Sequence, residues 1–217
     1  MSHNSPLAPS VVYHIYNRGN NGENIFIEAR NYPYFMKLYD KYITPVAETY
    51  AYCLLRNHFH LMVRIRTSEK INEHASFKEA WMPQERKERG SWQEPRSLER
   101  FISKQFAAFF GTYTKAINKA NSRSGALFEG RFKRKPVTDD GYLKVLVAYI
   151  HQNPQKHGLI DDYRDWPCSS YEAMISEKPT NLAREEILSW FDGSRGLVQY
   201  HETIADFREI ASLVDDE

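Results

Sequence analysis

Leu54-Leu55-Arg56-Asn57-His58-Phe59-His60-Leu61-Met62-Val63-Arg64-Ile65 carries both the fold and the chemistry of this chain. Apolar residues on either side of Arg56-Asn57 read as two strands, Tyr50 to Leu55 and His58 to Arg66, joined by a two-residue turn. Side chains alternate along a strand, so His58 and His60 share one face while Phe59, Leu61, Val63 and Ile65 point the other way, into a core. Two imidazoles set two residues apart on an apolar scaffold form a metal-binding pair, or simply a pair of solvated strand histidines when nothing else converges on them.

Upstream, Val11 to Asn17 is a β-branched and aromatic strand that runs into the turn signal Arg18-Gly19-Asn20-Asn21-Gly22. Asn31 to Tyr42 then places Tyr34, Phe35, Leu38, Tyr39 and Tyr42 at helical spacing and stops near Pro45. Downstream of the hairpin, Thr67 to Arg96 is polar, charged and marked by Pro83, Gly90 and Pro95, the composition of a surface insertion. A helix begins at Ser97, with Leu98, Phe101, Ile102, Phe106, Phe109, Phe110, Tyr113 and Ile117 on its apolar side. Ala126 to Val137 alternates enough for a fourth strand, with Gly130 as a bulge and its basic residues along an edge. The order strand, helix, strand, strand, helix, strand predicts an α+β sandwich, an antiparallel sheet of about four or five strands with helices packed on one face.

The chain has 217 residues, 41% of them hydrophobic, enough to bury one core. Residues 1–175 are expected to form the main domain, with 67–96 as its insertion and 176–217 as an acidic helical extension. There is no run of about 18 apolar residues, and Met-Ser-His-Asn-Ser-Pro has no charged-then-apolar pattern, so the expectation is a cytoplasmic protein with no membrane partner. Cys53 and Cys168 lie far apart without Cys-x-x-Cys spacing and read as small hydrophobes.

A net charge of +1 conceals a dipole along the chain. Arg100 to Lys135 holds nine bases and one acid, a net +8, whereas Asp161 to Glu217 holds five bases and fourteen acids, a net −9. The basic middle suits a polyanion partner or a solvated helix face, and the acidic tail solubilises the chain or screens that surface.

The last predicted helix is capped by Thr138 and Asp139, carries Leu143, Leu146, Val147 and Ile150 as its core stripe, and should end at Asn153 before Pro154. At roughly 100° per residue, Tyr142, Tyr149 and Asn153 fall on one flank, and His151 does not. Tyr149 and Asn153 are one turn apart, so a phenol and a carboxamide face one point in space. On the helix alone, Tyr149 also reads as an ordinary half-buried tyrosine in a chain with fourteen.

Four ordered blocks resemble a known family. Arg56-Asn57-His58-Phe59-His60-Leu61-Met62-Val63, Leu127-Phe128-Glu129-Gly130-Arg131-Phe132-Lys133 and Tyr149-Ile150-His151-Gln152-Asn153-Pro154-Gln155-Lys156-His157-Gly158-Leu159, together with Tyr13 to Gly19, are similar to the single-tyrosine HUH transposases, and among them to the REP-associated tyrosine transposase branch. Ile25-Phe26 and Trp166 through Ser169-Ser170-Tyr171 add to it, so the resemblance covers most of residues 11–175 in order. It implies a ferredoxin-like sandwich, the HUH nuclease fold, whose two histidines bind a divalent cation, and a helix that brings the nucleophilic tyrosine with a third ligand one turn later. By position these are His58 and His60, Tyr149, and Asn153. A bacterial protein associated with the nucleoid when on DNA is implied as well.

Two imidazoles and an amide oxygen leave positions for water and a phosphate oxygen, which suits Mg²⁺ or Mn²⁺ as Lewis acid. The expected reaction is attack of Tyr149 on a phosphodiester of single-stranded or hairpin DNA, leaving a 5′-phosphotyrosine and a 3′-hydroxyl that can be rejoined. Arg18, Arg131, Lys133, Arg134 and Lys135 are candidate phosphate contacts, and aromatic residues among them could stack unpaired bases. His14 on the first strand is left outside the ligand set, as a core or surface histidine. Relatives include exchanged-helix homodimers and monomers whose site is completed in cis, and the sequence is compatible with both. Alternatives are a domesticated, non-catalytic DNA-hairpin binder and a metal-dependent hydrolytic phosphoesterase in which Tyr149 is structural. A pure binder has no need of all four residues.

Overall fold

The computed structural model describes residues 6–74 and 98–204. β1 (Val12–Arg18), β2 (Ala47–Leu54), β3 (His58–Ile65) and β4 (Lys133–Val137) form one antiparallel sheet in the order β2-β3-β1-β4. The predicted hairpin joins β2 to β3, closed by Leu55 N–H donating to the His58 carbonyl at 2.9 Å. Both histidines therefore stand on a central strand, where the backbone is paired on both sides and least free to shift.

Phe59, Leu61, Val63 and Ile65 do point into a core, with Tyr13 and Ile15 of β1 beside them. That face is covered by α1 (Asn31–Tyr42) and α3 (Leu98–Ala120), whose Phe35, Leu38 and Tyr39 meet Phe101, Ile102, Phe106, Phe109 and Tyr113. Aromatic pairs tie the layers, among them Phe35 with Phe109 at 4.7 Å and Phe59 with Phe110 at 5.4 Å between centroids. Each such buried ring contributes about 1.5–3 kcal/mol by leaving water. The predicted start of α3 at Ser97 lies outside the described residues. So does most of the predicted insertion, which opens with α2 (Ser68–Glu73), capped by Thr67.

The helices do not all lie on that face. α4 (Asp140–Lys156) crosses the other one, where Leu146, Val147, Tyr149 and Ile150 pack with Ala51, Cys53 and Met62. The even positions of β3 look that way, so the helix seats itself over the histidine side. Asp139 caps α4 by accepting from Tyr142 N–H at 2.9 Å. α4 does not stop at Asn153: it runs through Pro154 to Lys156. A proline in the last turn removes one helical donor only, and the Asn153 carbonyl still accepts from His157 N–H at 3.1 Å.

The fourth strand is shorter than the alternation predicts. Residues 126–132 lie outside it: Phe128 bridges Gly19, and Gly130 at φ +68° turns the chain before Lys133. Leu127 and Phe128 are drawn into the apolar cluster instead. Gly19 has to be glycine, because a Cβ there would stand 1.8 Å from the Glu23 carbonyl oxygen.

α5 (Tyr171–Ile175), α6 (Arg184–Trp190) and α7 (Ser194–Thr203) pack Met174, Ile187 and Leu197, with Phe191 just after α6, into the α4 cluster. Their segment also covers the outer border of β2. Leu54 N–H donates to the Cys168 carbonyl, Ser170 N–H to the Tyr52 carbonyl and Ala183 N–H to the Thr49 carbonyl, each at 2.9 Å. Both cysteines are free thiols, with Cys53 buried. Among the described residues, no helix is long and apolar enough to cross a membrane.

Candidate active site

Register and helix placement bring Tyr149 to the histidine pair. His60 stands opposite Tyr16 of β1 and Cys53 of β2, and the Tyr149 ring meets the His60 ring edge-on, 5.5 Å between centroids. His58 Nε2 lies 3.0 Å from Asn153 Oδ1. A pocket of about 130 Å³ opens here, lined by His58, His60, Tyr149, Tyr16, Arg18 and His157, among others. Asn153 is wholly buried and meets the site through His58.

Partners fix both imidazoles. His58 Nδ1 is 2.8 Å from Asn57 Oδ1, and His60 Nδ1 is 3.0 Å from His14 Nε2. Burial is the main cause that holds His58 down at about 4, and it drives His60 well below the ordinary histidine range, with the charge of His14 and His58 adding to it. Both are therefore neutral near pH 7, the form in which an imidazole ligates a metal.

The donor set fits a hard divalent cation. A neutral His58 has one N–H to offer two amide oxygens, Asn57 Oδ1 and Asn153 Oδ1. If Nδ1–H serves Asn57, the His58 Nε2 lone pair and the Asn153 oxygen stand 3.0 Å apart with no proton between them, and both would be available to a divalent cation. Asn153 Nδ2 is buried and has no hydrogen-bond partner, so the amide is held by its oxygen end. Among the described residues no group of three or more His, Cys, Asp or Glu side chains is arranged for a metal. Asn153, His58 and His60 would hold one, with water and phosphate completing the shell.

His151, which the helix reading put off the flank, faces the C-terminal helices instead. It is wholly buried, with Nδ1 2.9 Å from His201 Nε2 and Nε2 2.8 Å from Ser170 Oγ.

No family model matches the chain. A Haemophilus influenzae protein, provisionally named a REP-associated tyrosine transposase, is 26% identical over 124 residues, 57% of this chain. The chain spans 58% of that relative's length. A solved REP-associated tyrosine transposase bound to a REP hairpin superposes with a TM-score of 0.52 at 16% identity, covering 84% of this chain and 91% of the other. The chain shares the fold of a REP-associated tyrosine transposase. The resemblance carried by the four sequence blocks is thus met twice, by a REP-associated relative in sequence and by a REP-associated structure in fold.

Against the REP-associated fold, the five candidate bases divide. Lys133 and Lys135 stand on the His14–Tyr16 side of β4, with the Lys133 Nζ 5.6 Å from the Tyr16 ring centroid. Arg134, the residue between them, lies over Phe132 at 5.3 Å. Arg18 and Lys133 line the pocket, and Arg18 is ion-paired with Glu129; Arg131 is exposed beyond the turn. His14, left outside the ligand set on the sequence, is a buried histidine beside His60, and three further neighbours carried no sequence reading of their own: Asn57 beside His58, Lys156 with its Nζ 5.2 Å from the Tyr149 ring centroid, and His157, whose ring is 4.8 Å from that of His58. His157 follows Tyr149 and Asn153 at i+8 and i+4, a spacing already visible in the sequence. The approach of His14 depends on β1 pairing with β3, for which the sequence carries no local signal.

Proposed function

We propose that this chain is a DNA transposase that cleaves and rejoins single-stranded or hairpin DNA through Tyr149. The observation that carries this reading is the convergence of Tyr149 on His60 in a pocket whose other wall is His58 bonded to Asn153. The phenol oxygen attacks the phosphorus, the bond to the 3′-oxygen breaks, and the 3′-oxygen takes up a proton as the phenol gives one up. The product is a 5′-phosphotyrosine and a 3′-hydroxyl, and the reverse attack rejoins the strand. Bound at His58, His60 and Asn153, Mg²⁺ or Mn²⁺ would polarise the scissile phosphate. Lys133 and Arg18, the latter paired with Glu129, line the pocket, and Lys156 stands over the Tyr149 ring, placing basic groups where a phosphate would approach. The relatives support DNA as substrate, since one of them is a REP-associated transposase seen on a REP hairpin.

The test incubates wild type and Tyr149→Phe with labelled single-stranded hairpins from the gene's flanks, with Mn²⁺ or EDTA, followed by a denaturing gel. A metal-dependent protein-linked band in wild type alone is expected. Binding without an adduct would make the chain a hairpin binder, and cut DNA with no attached protein would make it a phosphoesterase.

A further inference from the structure

We infer that His14 is a positioning residue that selects the ring nitrogen His60 presents to the pocket; the inference rests on the cation-binding reading above. His14 is wholly buried on β1, diagonal to His60 across the β1–β3 ladder, and its Nε2 lies 3.0 Å from His60 Nδ1 with the rings stacked at 5.2 Å. Tyr16 stacks on His14 at 4.7 Å and holds the ring in that plane. His14 lines no part of the pocket and so cannot touch a ligand there.

Between two neutral imidazoles only one proton can occupy the shared bond. If His14 donates, the remaining proton of His60 sits on Nε2 and blocks that nitrogen as a ligand. If His60 Nδ1–H donates, Nε2 turns its lone pair toward the pocket, and the His14 proton moves to Nδ1. His14 Nδ1 is buried with no hydrogen-bond partner. The two arrangements therefore differ in which buried nitrogen, His60 Nε2 or His14 Nδ1, carries the outer proton, a small gap that a ligand on His60 can overturn. Asn57 does the same for His58 with an amide oxygen, which can only accept. His58 takes its ligating tautomer when Nδ1–H serves Asn57 rather than Nε2–H serving Asn153, both oxygens that only accept, whereas His60 is held by a partner that can also donate. Ligand histidines are commonly oriented by such an outer partner, whose loss costs about 10–100-fold in affinity.

The test measures Mn²⁺ affinity of the full chain without DNA by electron paramagnetic resonance, and histidine ¹⁵N shifts with Mg²⁺, for wild type, His14→Phe and His14→Gln. His14→Phe should weaken Mn²⁺ about 10–100-fold and leave His60 in the Nε2–H tautomer, while His14→Gln, whose amide oxygen can accept, should recover most of the affinity. Thermal unfolding separates this from misfolding, because a merely structural role would leave the Gln variant as weak as the Phe variant. Equal affinity in wild type and His14→Phe overturns the positioning role and leaves the transposase reading intact. Mn²⁺ bound by wild type without any DNA adduct overturns the transposase reading and leaves the positioning role intact. No Mn²⁺ bound by wild type overturns both the positioning role and the cation site.

Discussion

α4 runs between two buried histidine clusters, and they are built to opposite ends. On the C-terminal side the hydrogen bonds form a closed chain: Tyr52 N–H donates to Ser170 Oγ at 2.8 Å, Ser170 meets His151, His151 meets His201, and His201 Nδ1 meets the Leu197 carbonyl at 2.8 Å. Because a carbonyl can only accept, His201 carries its proton on Nδ1, and every later donor in the chain is then assigned. On the sheet side, His14 Nδ1 and Asn153 Nδ2 are buried without hydrogen-bond partners, and the cluster opens on a pocket. Buried polarity that is fully paired holds a structure in place, whereas buried polarity left incomplete beside a cavity is expected to bind something.

The largest effect that could break this contrast is at His60. His60→Ala should lower cleavage by on the order of 10²–10³-fold while thermal stability holds, since an imperfectly paired cluster is relieved. A variant that unfolds but cleaves at the wild-type rate would reverse the roles of the two clusters.

Acid comes next. Unfolded imidazoles protonate near 6.5, but burial, opposed by the bond to Leu197, holds His201 at about 4, and His151 lies well below its ordinary value through burial and the charge of His201. Depressed values mean that the stability is whole above pH 6.5 and is lost as pH falls through the window down to about 4. The His201 contribution alone is roughly 3 kcal/mol. Urea titrations at pH 7, 5.5 and 4.5 would follow it, and a flat profile would rule it out.

Ser170→Ala cuts the closed chain at one link and leaves Tyr52 N–H and His151 Nε2 unpaired, for about 1–3 kcal/mol of lost stability by the same titration. Cleavage per folded molecule should stay within about threefold. The smallest effect concerns the edge. Lys133→Glu should weaken hairpin binding and flatten its salt dependence by about one counterion, and Arg134→Glu by less, because its guanidinium lies over Phe132. Equal slopes would mean that DNA crosses both faces of β4.

Much of this was legible in the sequence, because the signals were local. Period-two alternation placed His58 and His60 on one face, the spacing of Phe35, Leu38 and Tyr39 marked α1, and a four-residue interval set Tyr149 and Asn153 one turn apart on α4. What was not legible depended on pairing between distant segments. His14 reaches His60 only through the β1–β3 register, and His151 finds His201 fifty residues on. Local propensity also overstated β4, since burial of Leu127 and Phe128 outweighed their alternation, and it ended α4 too early, since Pro154 came where the helix had few donors left to lose.

The borders of the sheet have a consequence for the protein at high concentration. An open strand edge is a template on which another chain can grow. Here the C-terminal segment occupies the edge of β2, and β4 presents Lys133, Arg134, Lys135 and Pro136, three like charges and a residue without an amide proton. The chain is in this way guarded against fibre-like stacking on both flanks, by chain on one and by charge on the other. Cutting the protein before Cys168 should remove one guard and turn a covered edge into a sticky one.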